Sequence, residues 1–335
     1  MHRPVSLLVL SLFALAAPAY PQASARGPFT VTELRQSFGR LDEALAALKG
    51  ADGTITIAPG RYNQCAVQDA GRVAFVAEVP GSVVFDRGVC EGKATLVLRG
   101  TSARVDGIVF THVLVDDGNG AGIRIEKGDL VVTNAMFVDN QCGILSADDA
   151  GSTISIDHST FAGLGKDPTG HGAHSVYVGG FGMVKITRSR FERGTGGHYV
   201  KIRAPRVEIL DNSFDDSAGH ATNYMIDLSN GATGRIAGNS FVAGPDKENH
   251  STMITVAPEG VKNSSAGLIV EHNVARLSPG FSWNTTFVGN WSGDRIIVRD
   301  NDLADRIEPV GSRGQLSGAA GLVDKVRAKV MGKIF

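Results

Sequence analysis

Lys201 and Arg203 alternate with Val200 and Ile202 in "YVKIRAP", which sets two cations on one face of an extended segment. Two cations so spaced suit one chemistry in particular. Removing a proton beside a sugar carboxylate needs that carboxylate neutralised and a base placed on the proton. Arg203 can grip a planar carboxylate through two parallel N–H bonds. A neighbouring guanidinium disfavours a charged lysine, so Lys201 is the expected base. Tyr177 or His198 would then protonate the leaving oxygen. The plainer alternative stays open: exposed strands need charge, and Lys201 and Asp227 also read as a simple cross-coil salt bridge.

The elements that would position these residues emerge when the chain is lined up on its phenylalanines. "VDGIVF" ends at Phe110, "LVVTNAMF" at Phe137, "ISIDHSTF" at Phe161, "VKITRSRF" at Phe191, "VEILDNSF" at Phe214 and "GRIAGNSF" at Phe241, with smaller apolar residues continuing the series at Ala275 and Leu303. Each unit is an alternating strand, a polar turn and another apolar position. Two residues before that position stand Ala135, Ser159, Ser189, Asn212, Asn239, Asn273 and Asn301. Asparagine there tolerates a left-handed turn, and stacked amides can bond to one another. A second short strand lies between the units, as in "GIRI", "SVYV", "YVKI" and "MIDL". Glycine-punctuated short strands repeating at this interval predict an all-β solenoid of about ten coils.

Stacking the second strands on their inward residues Ile123, Ile144, Val176, Val200, Ile226, Ile254 and Phe287 gives an outward column of Arg124, Leu145, Tyr177, Lys201, Asp227, Thr255 and Val288. Tyr177, Lys201 and Asp227 should therefore occupy adjacent coils, with Arg203 and Tyr199 flanking them. Arg124 and Tyr199 are the expected further substrate contacts. The long insertions "AGLGKDPTGHGAH" and "DDSAGHATN", carrying His171, His174 and His220, would wall the face.

This pattern resembles the secreted right-handed parallel β-helix proteins of the pectin-lyase-like superfamily. The opening segment agrees: "RLDEALAALKG" reads as a capping helix before "DGTITIAPGRY", with its Pro-Gly-x-Tyr turn. The likeness runs over nearly all of the chain and implies the fold; the fold alone assigns no activity. A narrower likeness is to polysaccharide lyase family six, where a strand of the form S-N-K-S precedes an N-T-F turn. "YVKIRAPRVEILDNSF" is similar, with Lys201 at the position of the lysine that the family uses as base. The next coil reads "IDLSNG", with Asp227 where that family has an arginine, so carboxylate neutralisation falls to Arg203 or Arg124. The family's calcium site finds no counterpart.

The 335 residues carry 33 basic and 34 acidic side chains, which gives no basic field for nucleic acid. "MHRPVSLLVLSLFALAAPAYPQASA", residues 1–25, is laid out as a signal peptide with cleavage after Ala25 or Ala19, and no later run would span a membrane. Export, periplasmic or extracellular, permits a Cys65–Cys90 disulfide one repeat apart, the alternative being two buried thiols. Metal ligands at zinc spacing are missing. "DDGNGAG" from Asp116 is oxygen-rich like a calcium loop but lacks the downstream bidentate glutamate, so Ca2+ is the single cofactor left open. Trp283 and Trp291 read as packing residues near the end of the solenoid.

The expected organisation is a signal peptide (1–25), an N-terminal segment with capping helix (26–50), a single-stranded right-handed parallel β-helix (51–311) and a C-terminal amphipathic helix (312–335). In that helix Leu322, Val323, Val326, Val330 and Ile334 share one stripe and would cover the last coil; membrane-surface binding is the rival. The expected function is action on an acidic, uronic-acid polysaccharide by β-elimination or C5-epimerisation, which share one proton abstraction. The competing class is a non-catalytic carbohydrate-binding or accessory β-helix. A cleft over Lys201 would favour the enzyme; a flat face with Lys201 paired to Asp227 would favour binding. Hydrolysis ranks lower, since it calls for several aspartates on adjacent coils.

Overall fold

Alternating apolar strands that are too short to bury a face alone must stack, and the chain does so as a parallel β-helix. The computed structural model describes residues 27–165 and 173–312. The signal-peptide segment, His171 and residues 313–335 of the expected C-terminal helix lie outside them; Ser312 ends the strand Ile307–Ser312. Strands form three long sheets, one of 12 and two of 10 strands. Each coil contributes one strand to each sheet, and every pairing between successive coils is parallel, as in Val207–Leu210 against Val184–Thr187.

The second sheet carries the phenylalanines, and their register is the one that the repeat predicts. Phe110, Phe137, Phe161, Phe191, Phe214, Phe241, Ala275 and Leu303 pair in turn. Phe85 extends the series one coil earlier. From Phe110 to Phe241 consecutive rings stack with centroids 4.8–5.2 Å apart, close to the strand spacing, so each coil's aromatic packs on the next.

The turn before this sheet holds a ladder. Asn212 donates its backbone N–H and its Nδ2–H to Asn239 Oδ1, both at 2.9 Å; Asn239 repeats this to Asn273, also at 2.9 Å. Asn273 continues to Asn301, and Ser189 Oγ accepts the Ser159 N–H at the other end. The left-handed residue is the one before each rung, a correction to the sequence reading: Asn134, His158, Arg188, Asp211, His272 and Asp300 all have φ between 46° and 58°. Side chains that bond to the next rung's backbone leave the preceding residue to make the reversal.

The N-terminal end is closed. Phe29–Val31 pairs antiparallel with Gly53–Ile57, and the helix Leu41–Ala47 buries Leu41 and Ala44 against the first coil. Cys65 and Cys90 are bridged, with Cα atoms 5.5 Å apart, and Cys142 is buried.

Candidate functional site: a carboxylate held between two cations

The third sheet positions the polar cluster. Arg124, Leu145, Tyr177, Lys201, Asp227 and Thr255 pair in consecutive strands, as strand alternation predicts. The last coil differs by one residue: Val288, not Phe287, pairs with Ile254, so Gly289 follows Thr255 in the column. Both Phe287 and Val288 are buried, which hides the inward position from a reading by hydrophobicity.

Lys201 is buried, 6% exposed, beside Asp227 at 1%. Its ammonium lies 3.2 Å from Asp227 Oδ2 and also contacts Glu259 Oε1. Ser229 Oγ and Thr255 Oγ1 donate to the two Asp227 oxygens at 2.8 and 3.0 Å, so this carboxylate is fixed on three sides. The second Glu259 oxygen takes the Arg203 guanidinium at 2.6 Å. Arg203 also donates Nε–H to the Tyr177 hydroxyl and an N–H to Asn230 Oδ1, both at 3.0 Å. Both cations lie over the Tyr177 ring, 5.6 and 5.7 Å from its centre.

These contacts disfavour the neutral Lys201 that a base requires. Burial works against its charge, but Asp227 and Glu259 outweigh burial and hold the ammonium above its ordinary pKa. Arg203 behaves likewise, with Tyr177 and Glu259 overcoming its burial.

His198 joins the cluster from the loop before Val200. Its Nδ1 accepts the Tyr224 N–H at 3.1 Å, which leaves Nε2 carrying the proton of the neutral ring, 3.6 Å from Asp227 Oδ2. His174 stacks on it at 4.8 Å and accepts the His198 N–H at 3.0 Å. Burial, then Lys201 and Lys247, keep His198 well below the usual histidine pKa; burial, His198 and the nearby cations do the same for His174. A neutral His198 can donate to an oxygen, but it holds no mobile proton near neutral pH.

Two expected contacts stand elsewhere. Tyr199 is 1% exposed and packs edge-on against Phe191, 6.4 Å between centroids, so it does not face a ligand. Its hydroxyl donates to Asp216 Oδ1 at 2.7 Å in a buried network that Lys247 and Thr222 complete at 2.8 Å each. Burial there pushes the Tyr199 pKa up and, against Asp216, the Lys247 pKa down. Arg124 lies three coils from Lys201 and faces Glu126, which Lys93 and Arg99 also grip at 2.8 and 2.6 Å.

The sequence reading missed Glu259 and Asn230. Both come from turns beside the sheet, where alternation gives no direction; the one signal was "APEG", residues 257–260, directly after the strand Thr252–Val256. Two surface depressions of about 190 and 400 Å3 are lined by residues around Asp211 and around Arg99, and neither touches Lys201 or Arg203. Among the described residues no three His, Cys, Asp or Glu side chains converge to hold a metal. In "DDGNGAG" Asp117 Oδ1 accepts the Asn119 N–H at 2.9 Å, the bond of a local turn.

No protein-family model matches the chain. No curated protein matches it. Two crystal structures of the pectin methylesterase from Aspergillus niger are similar in form. The deglycosylated protein has a TM-score of 0.47 and 12% identity over 80% of this chain and 88% of that one. The penultimately deglycosylated form has a TM-score of 0.46 and 13% identity over 80% and 89%.

Proposed function

We propose that this face binds the carboxylate of a uronic-acid residue in an acidic polysaccharide. One observation carries the reading: Lys201 and Arg203 grip the two oxygens of one carboxylate, Glu259, over the ring of Tyr177. Cations so preorganised are a receptor for a carboxylate wherever it comes from. The pairing of Lys201 with Asp227 favours binding over catalysis. An exported protein, as residues 1–25 imply, would meet such polymers.

The hydroxyl of Tyr177 supports a second reading, β-elimination or C5-epimerisation. It lies 3.0 Å from Arg203 Nε, next to where a bound uronate would sit. Lys201 and Arg203 would then neutralise the carboxylate and the developing enolate, and Tyr177 would exchange the proton. This replaces Lys201 as base and keeps the reaction class.

Calorimetric titration with uronate oligomers and with neutral oligosaccharides tests the first reading. We expect binding of the uronates alone, weakened about tenfold or more in Arg203→Ala. Neutral sugars bound equally well, or no uronate bound, would sink it. A rise in ultraviolet absorbance from an unsaturated uronate, lost in Tyr177→Phe, would establish elimination; exchange of the C5 hydrogen with deuterated water without that rise would establish epimerisation.

A further inference from the structure

The cluster's two carboxylates are held differently. Asp227 is 1% exposed and fixed by Ser229 and Thr255 as well as by Lys201. The Glu259 side chain is 24% exposed and reaches both cations from the turn between the strands Thr252–Val256 and Ile269–Glu271. The turn itself is tied down. Glu259 donates its N–H to Ser229 O at 3.1 Å, and the N–H groups of Lys262 and Asn263 both bond Asn230 O at 3.0 Å. Release of this carboxylate therefore needs only side-chain rotation. The solvent side has room: a Cβ placed on Gly260 would meet nothing within 4 Å, and Val261 is 56% exposed.

Charge decides what can take its place. Lys201 and Arg203 carry two positive charges, and Asp227 and Glu259 two negative ones. Turning Glu259 outward leaves one positive charge uncompensated beside a buried ammonium, a costly state in a poorly hydrated site. A ligand with a free carboxylate restores the balance and the hydrogen bonds together. A neutral sugar, or a uronate masked as its ester, restores neither.

We propose that Glu259 is a built-in competitor that occupies the seat of the ligand carboxylate and is displaced by it. The inference rests on the carboxylate-binding reading above and adds its selectivity. The exchange of one carboxylate for another makes the face discriminate free uronates from esterified and neutral ones, and it lowers affinity for all of them.

The test uses full-length wild type, Glu259→Ala and Glu259→Gln, each checked for the folded far-ultraviolet spectrum. Sodium glucuronate, its methyl ester, glucose and sodium chloride are compared at matched ionic strength by thermal unfolding. We expect glucuronate to raise the Tm of both variants more than that of wild type, with the ester, glucose and chloride giving no such difference. Uronate trimers should bind the variants about tenfold more tightly than wild type. Should Glu259→Ala not fold, Glu259→Gln carries the same comparison. A glucuronate shift no larger in the variants than in wild type overturns the competitor. Trimers that bind wild type and variants equally also overturn it, while leaving the polysaccharide reading intact. A glucuronate shift confined to the variants, with no trimer bound by any form, upholds the competitor as a carboxylate seat and removes the polysaccharide.

Discussion

His174 and His198 each give Nδ1 to a backbone N–H, and their rings are stacked and buried beside Lys201. From the surrounding elements His198 faces Asp227 at 3.6 Å with Lys201, Lys247 and Arg203 nearby, and His174 faces Tyr177 edge-on at 5.2 Å. Both histidines titrate below the ordinary value of 6.5 in the folded chain. Their stabilising contribution is therefore complete above 6.5 and is lost as pH falls below it, because the unfolded chain takes up protons that the folded chain refuses. Each contributes about 1.4 kcal/mol per pH unit inside that window. Urea unfolding should show a loss of about 2–3 kcal/mol between about pH 7.5 and about pH 5.5, removed in His174→Asn/His198→Asn. A pH-independent stability across that range would show that these rings protonate freely in the folded state. Tyr177, Lys201 and Asp227 were legible as neighbours because strand alternation has a strict period of two. Tyr199 was misread because it precedes the strand Val200–Ile202, where alternation has not begun. The second counter-ion of Lys201 was not legible because Glu259 is 58 residues away in the chain and comes from a turn.

At the scale of the elements, two stacks hold the coils in register by different means. Phe161 lies between Phe137 and Phe191, 4.8 Å from each, and is fully buried. Phe161→Ala should cost about 3–5 kcal/mol in denaturant unfolding, since two flanking rings lose their contact and cannot close the gap. Asn239 is the polar counterpart. Its Oδ1 takes two N–H groups of Asn212, and its Nδ2 donates to Ile209 O at 2.8 Å. Asn239→Ala leaves these buried partners unpaired, at a cost of about 1–3 kcal/mol, whereas Asn239→Ser should cost less. Serine already fills the same rung at Ser189, whose Oγ accepts the Ser159 N–H at 3.1 Å. Equal losses for Ala and Ser would show that the ladder's hydrogen bonds are not what the position needs. The repeat and its register were readable because each coil must place one large apolar side chain at the same depth. The division of labour between a rung and the left-handed residue before it was not, since Asn, Asp, His and Arg all fill that second position.

A solenoid is held together by contacts between adjacent coils, so a local change in stability should spread over few of them. The N-terminal coils are closed by the antiparallel strand Phe29–Val31, the helix Leu41–Ala47 and the Cys65–Cys90 bridge. Closing a loop of 25 residues should contribute about 3 kcal/mol to the coils it joins. The strand Ala66–Gln68 beside Cys65 lies five pairings before Val200–Ile202: it meets Ala94–Leu98, then Ala121–Ile125, Cys142–Ser146, Val176–Val178 and finally the Lys201 strand. Cys65→Ser/Cys90→Ser should therefore speed amide exchange in the strands from Gly53 to Leu98 while leaving exchange around Lys201 and uronate binding unchanged. Exchange that rises equally through Lys201 and Asp227 would mean that the chain opens as one cooperative unit. The carboxylate seat would then depend on closure of the distant end, and the separation between a sealed terminus and a working middle, which parallel stacking of near-identical coils implies, would not hold for this protein.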